Sequence, residues 1–203
     1  YRDGGNSNQG TAIVGTVDSS DNSISFGTAV VFETGSLSGM YQIAFDSNSN
    51  RVVIAYSDGG NSNYGTAIVG TVSGTGISFG TAVVFESANS LYTSVTMLTS
   101  TTAIVVYTDT GNSYRGTACL LTVSGSTVTA GTPMVFRSSN SQWITVATLS
   151  DTKVIVMFRL GNGYVTSCVL TISGSSISAG AVVSFNSSVS EYISVAVLNP
   201  EKV

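Results

Sequence analysis

An aromatic residue, a Gly/Asn-rich turn and a strand-like run recur four times along this chain, opening at Tyr1, Tyr56, Tyr107 and Phe158. The openings lie 55, 51 and 51 residues apart. A period of that size, made of short β-like runs without helical periodicity, points to sheet units that stack or circle an axis and bury their apolar faces against one another.

The second unit shows how one repeat is built. Tyr41 to Phe45 and Val52 to Ala55 flank the turn Asp46-Ser47-Asn48-Ser49-Asn50 and read as a hairpin. Tyr41 to Val52, Tyr92 to Ala103, Trp143 to Val154 and Tyr192 to Val203 share the same spacing, so the hairpin is expected to keep one register in all four units. The runs Thr66–Val72 and Ile77–Phe85, separated by Ser73-Gly74-Thr75-Gly76, add two strands. Four antiparallel strands in about 50 residues, joined by Gly, Ser and Asn turns, match one propeller blade. The fold class is therefore read as all-β, a β-propeller of four-stranded blades, with four repeats over residues 1–203. Small and β-branched residues after Tyr92, Trp143 and Tyr192 assign that strand to the crowded centre. The Phe-rich run after each Ser-Gly turn goes to the rim, where Gly27 and Gly80 permit a bulge. Glu201-Lys202-Val203 matches Asn50-Arg51-Val52, and Tyr1 matches Tyr56, so the sequence is cut inside a strand. Two readings follow, a segment of a longer repeat protein or a four-unit ring with a three-residue seam, and the first is preferred because four blades is the small end of the propeller range.

Composition narrows the partners. Charged residues make up only 9% of the chain while 42% is hydrophobic, so the surface is built of Ser, Thr, Asn and Gly around a real core. The net charge is −4, and Arg2, Arg51, Arg115, Arg137 and Arg159 are scattered singly, which leaves no basic footprint for nucleic acid. No apolar run approaches the roughly 20 residues of a membrane-crossing helix. Cys119 and Cys168 occupy the place held by Ile13 and Ile68 in the first two units. Neighbouring sheets lie roughly 10 Å apart, too far for a disulfide, so both are expected as free, buried thiols.

Asp3, Asp58 and Asp109 open the Gly/Asn-rich turns of three units and are assigned as structural turn residues whose carboxylates accept backbone amides. The oxygen sets Asp3, Asn6, Asn8 and Asp58, Asn61, Asn63 hold too few carboxylates for calcium, and neither a metal nor a cofactor is expected. The turns Tyr56-Ser57-Asp58-Gly59-Gly60, Tyr1-Arg2-Asp3-Gly4-Gly5 and Tyr107-Thr108-Asp109-Thr110-Gly111 resemble the Asp-box turn of sialidase-like and lectin propellers, although Phe158-Arg159-Leu160-Gly161 lacks the Asp. Over essentially its whole length the chain also resembles tandem propeller repeats of environmental bacterial and phage surface proteins. These resemblances imply a non-catalytic recognition module placed outside the cell, on its surface or on a virion.

The residue set with most to say about ligands is Tyr41, Tyr92, Trp143 and Tyr192, one aromatic per unit beside a Ser-rich loop such as Ser138-Ser139-Asn140-Ser141. Flat rings beside hydroxyl and amide side chains suit the apolar face and the hydroxyls of a sugar, while rings of this size also serve as wedges between blades. The chain contains no His, so no Ser-His-Asp or Cys-His arrangement exists. Glu33, Glu86 and Glu191 stand singly and are read as solvated surface charges rather than paired glycosidase carboxylates. The sequon Asn186-Ser187-Ser188 hints at secretion only in a eukaryote. The functional expectation is carbohydrate or cell-surface binding by repeated shallow sites. A purely structural repeat in a fibre, appendage or virion, in contact with neighbouring copies or domains, is the alternative, and an Asp-box-like hydrolase is the third.

Overall fold

The computed structural model describes residues 1–199 and 201–203, and it is all-β. The strands are β1 (Arg2–Asp3), β2 (Gln9–Ala12), β3 (Gly15–Val17), β4 (Ile24–Phe26) and β5 (Val30–Asp46). The second unit adds β6 (Arg51–Asp58), β7 (Tyr64–Ser73), β8 (Gly76–Phe79) and β9 (Val83–Thr99); the third adds β10 (Thr102–Asp109), β11 (Arg115–Ser124), β12 (Thr127–Ala130) and β13 (Met134–Ser150). The last are β14 (Lys153–Leu160), β15 (Val165–Ser173), β16 (Ser176–Ala179) and β17 (Val183–Asn186). Two single 3-10 turns, Gly59–Asn61 and Thr110–Asn112, follow β6 and β10.

Each 17-residue strand belongs to two units. The start of β9 pairs with β7, and from Ser90 onward it pairs with β10. The Ser-rich stretch Ser138–Ser141 was expected as a loop, but β13 runs straight through it, leaving the outer edge of one unit to become the first strand of the next. This shared strand is why one path of strands runs on from β1 to β16 across the units, while β3 and β4 form a separate two-stranded sheet. The outer run Ile77–Phe85 is correspondingly split into β8 and the start of β9, both on the same partner β7. Its break is at Gly80, where a Cβ would lie 1.8 Å from the Ser126 carbonyl oxygen of the next unit; the equivalent Gly27 approaches Thr75 in the same way. These glycines are required by close backbone approach between units.

The core lies between successive sheets. Val53, Ala55, Val69 and Phe85 of one unit meet Val105, Tyr107, Cys119 and Leu121 of the next, whose opposite face, Ile104, Val106, Leu120 and Phe136, meets Val154, Val156, Phe158 and Leu170. Strands such as Ala103–Tyr107 are therefore covered on both faces, which explains their unbroken apolar runs. The aromatics that open three of the repeats are fully buried and each packs on a Phe, with ring centroids 5.5 Å apart for Tyr56 and Phe32, 5.1 Å for Tyr107 and Phe85, and 5.6 Å for Phe158 and Phe136. Cys119 and Cys168 are free and buried, and burial pushes both thiols up to about 11.

The C-terminal halves of the long strands touch one another across units. Ser94 Oγ donates to Gln42 Oε1 at 2.6 Å, the Val146 amide donates to Ser94 Oγ at 3.2 Å, and the Thr96 and Thr148 hydroxyls lie 2.8 Å apart. Small polar residues there let neighbouring strands converge.

Two expectations about the hairpins fail. The first hairpin pairs Phe45 with Val52, whereas the second pairs Met97 with Ala103, a register one residue different, because the loop Ser47–Asn50 replaces the two-residue turn Ser100-Thr101. In the fourth unit residues 187–198 carry no strand, and among the described residues beyond them Asn199 and Lys202 form an isolated bridge.

Candidate functional site

The Asp turns differ among themselves. Asp58 Oδ1 accepts the Gly60 and Asn61 amides at 2.9 and 3.1 Å, and Asp3 Oδ1 accepts the Gly5 amide at 3.1 Å. Burial, then the nearby Glu33 carboxylate, raises the pKa of Asp58 above the usual carboxylate value. Asp109 was expected to do the same work and does not: its side chain caps nothing and its Oδ1 is buried without a partner. The residue after it is Thr110 rather than Gly, and this turn is tied instead by Thr110 Oγ1 donating to the Asn89 carbonyl at 2.8 Å and by Arg115 Nη1 donating to Asn112 Oδ1 at 3.0 Å.

Glu33 and Glu86 are not solvated surface charges. Both are half-buried and accept the hydroxyl of the neighbouring buried tyrosine, Tyr56 to Glu33 and Tyr107 to Glu86, each at 2.9 Å. Burial, reinforced by the carboxylate, raises both tyrosine pKa values far above normal. In the next repeat the tyrosine is Phe158 and the glutamate is Arg137. The acceptor disappears together with the hydroxyl it served. Glu191 is exposed and forms an ion pair with Arg159 at 3.0 Å.

Three of the four aromatics meet. Tyr92 and Trp143 have ring centroids 5.0 Å apart, and Trp143 and Tyr192 4.5 Å, so a tilted ladder runs across three units. Tyr92, Trp143 and Tyr192 all hold a left-handed backbone, with φ of 50°, 52° and 57°. A bulky residue rarely adopts that conformation, and here the first two sit at the irregularities where the long strands change partner. Tyr92 and Trp143 are half-buried and Tyr192 is exposed. Tyr41 stands apart; its hydroxyl accepts the Arg2 amide at 3.1 Å, and its ring lines a groove of about 570 Å³ with Tyr1, Ile13, Ile43 and Ile54.

Beside the ladder lies a row of polar side chains that single positions in the sequence did not announce. Cross-strand pairing sets Ser90 opposite Asp109, Asp109 opposite Arg115 and Arg115 opposite Asn140. Buried, unpartnered polar atoms concentrate here: Asn89 Oδ1, Thr93 Oγ1, Asp109 Oδ1, Arg115 Nε, Asn140 Oδ1 and the Trp143 indole nitrogen. Such atoms are few in folded proteins; Asn89, Thr93 and Asn140 lie within three residues of Tyr92 or Trp143, and Asp109 and Arg115 join them through cross-strand pairing. The corresponding row in the unit before is Leu37, Asp58, Tyr64 and Asn89, with no guanidinium. Arg115, seen in the sequence as one scattered cation, gains its meaning only through pairing. Among the described residues, no three His, Cys, Asp or Glu side chains gather as a metal site would require, and no helix is long and apolar enough to cross a membrane.

No protein-family profile matches the chain, and no curated protein matches it. Its fold is similar to that of Aleuria aurantia lectin, a β-propeller, in two solved structures of an asparagine-to-glutamine variant. One is a complex with Fucα1-6GlcNAc, at 17% identity and a TM-score of 0.51, covering 79% of this chain and 50% of the lectin. The other, with α-methyl-L-fucoside, has the same identity and TM-score and covers 49% of the lectin chain. The chain thus spans about half the length of the lectin whose fold it shares.

Proposed function

We propose that this chain is a non-catalytic recognition module that binds carbohydrate on a propeller of four-stranded, roughly 50-residue blades, displayed outside the cell, on its surface or on a virion. The observation that carries the proposal is the Tyr92, Trp143 and Tyr192 ladder, half-buried to exposed, beside the cross-strand polar row of Asp109, Arg115 and Asn140. A carboxylate, a guanidinium and amides offer acceptors and donors to vicinal hydroxyls, while an aromatic edge takes the apolar face of the ring. The left-handed backbone at each ladder residue supports a role beyond packing. The lectin fold adds weight, since those structures hold fucosides. The turns at Asp3 and Asp58 serve as Asp-box-like supports, with amides fixed by the carboxylate.

Trp143 is the chain's single tryptophan and reports directly on this site. A glycan array that includes fucosides, followed by titration of Trp143 emission with the sugars retained, is expected to give a saturable change. An array without binding, together with emission indifferent to every saccharide, would refute the reading. A second reading, an assembly node, is favoured by the exposed apolar residues Val17, Ile24 and Phe26 at one end and Val183, Phe185 and Leu198 at the other.

A further inference from the structure

We propose that a neutral pyranose ring stacks on Tyr92 at the place where the first unit carries Gly39 instead of an aromatic, continuing the ladder by one rung. The inference rests on the carbohydrate reading and gives that reading a subsite and a sugar class.

Strand pairing, rather than sequence spacing, identifies the rung. Ser38 stands opposite Ser57 as Leu91 stands opposite Thr108, so the residue after Ser38, Gly39, takes the place of Tyr92. From the other side, Phe45 pairs with Val52 as Met97 pairs with Ala103, which puts Tyr41 in the place of Thr93. The residues Gly39 to Tyr41 thus cover the irregularity that Tyr92 and Thr93 cover in the next unit. The backbone agrees. Gly39 is left-handed, with φ of 68° beside 50° for Tyr92 and 52° for Trp143, whereas Tyr41 is not among the left-handed residues. Tyr41 instead turns its hydroxyl to the Arg2 amide, which is why it stands apart from the ladder.

The first two units meet as the second and third do. Ser94 Oγ donates to Gln42 Oε1 on one side and accepts the Val146 amide on the other, so Gly39 stands beside Tyr92 as Tyr92 stands beside Trp143. The rungs lie 5.0 and 4.5 Å apart, and among the described residues Tyr92 pairs with Trp143 alone. The next rung has no ring and has room for one: Gly39 is exposed, and a Cβ there would meet only the Ser57 Cβ, at 4.0 Å. A pyranose offers the flat C–H face that packs on an aromatic ring at such spacing.

Charge sets the class of sugar. The row paired beside this rung, Leu37, Asp58, Tyr64 and Asn89, holds a carboxylate and no guanidinium. Burial and then the Glu33 carboxylate raise the pKa of Asp58, so a second negative group lies close by. An acidic sugar is repelled there, while the hydroxyls of a neutral one meet those of half-buried Ser38 and Tyr64.

Titration calorimetry and NMR on the 203-residue chain, with methyl pyranosides of fucose, galactose, mannose and glucose and with methyl glucuronide, test the rung. At least one neutral pyranoside is expected to bind, with nuclear Overhauser contacts from its ring protons to the Gly39 α-protons and the Tyr92 ring, and the glucuronide is expected to bind more weakly. Gly39→Tyr supplies the missing ring and should weaken binding by about 10-fold or more. Gly39→Asn, which tolerates the left-handed backbone and adds no ring, should stay within about 3-fold of the parent. Should Gly39→Tyr fail to fold by circular dichroism, the contacts to Gly39 in the parent chain decide. Unchanged affinity in Gly39→Tyr, contacts confined to Trp143 and Tyr192, or tighter binding of the glucuronide would each overturn the rung and leave carbohydrate recognition standing. Binding of none of these sugars also overturns it, and only an empty glycan array overturns recognition as well.

Discussion

Removing one hydroxyl should expose how much the hidden tyrosine–glutamate pairs hold the units together. In Tyr107→Phe the ring, fully buried and 5.1 Å from Phe85, keeps its packing, and only the 2.9 Å bond to Glu86 is lost. A hydrogen bond to a charged group contributes about 1.5 to 3 kcal/mol, and a half-buried carboxylate can regain part of that from water, so the expected loss is about 1 to 2 kcal/mol. At this chain length that is a fall in Tm of about 2 to 8 °C. The next repeat supplies the control, because Phe158 stands where Tyr107 does and Arg137 where Glu86 does. Glu86→Arg alone strands the buried hydroxyl and should cost about 1 to 3 kcal/mol, whereas in the Tyr107→Phe background it should cost less, giving a coupling energy of about 1 kcal/mol. Urea denaturation of the four proteins measures it. Strict additivity, or a Tyr107→Phe loss below about 0.3 kcal/mol, would refute the account of Glu86 as a dedicated acceptor.

Alkaline pH should destabilise the chain from about pH 9 upward. The thiols of Cys119 and Cys168 ionise near 9.0 when unfolded but at about 11 when buried, so the unfolded state releases protons first and stability falls as pH rises, by up to about 1.4 kcal/mol per unit per thiol. Tyr56 and Tyr107, raised further, extend the loss above pH 10; chemical denaturation showing no change between pH 8 and 11 would contradict this, and Cys119→Ala with Cys168→Ala should remove its onset. Gly80→Ala drives a methyl onto the Ser126 carbonyl oxygen and is expected to cost about 3 kcal/mol or more, whereas Gly74→Ala, with open space around it, should show only the smaller strain of its positive φ; equal midpoints for the two would argue against close contact between units. Asp109→Asn is expected to weaken a glycan found on the array by about 10-fold or more while leaving Tm nearly unchanged, because the carboxylate has no partner within the fold.

The sequence alone determined the plan of the fold, since a period recurring at Tyr56, Tyr107 and Phe158 leaves each sheet only its neighbours to pack on, and runs such as Ala103–Tyr107 were already apolar on both faces. It also located the ladder aromatics one per repeat, and the free thiols, because those follow from position within the unit. Tertiary structure decided what depends on a partner across strands or units. The Ser-rich stretches became strand because β7 and β11 offered an edge, Glu33 and Glu86 became half-buried acceptors because a tyrosine hydroxyl more than 20 residues away ends beside them, and Asp109, Arg115 and Asn140 became a row through register alone. Periodicity constrains each residue's place in its own unit; which side chain it faces is fixed by long-range pairing, to which a local pattern is blind.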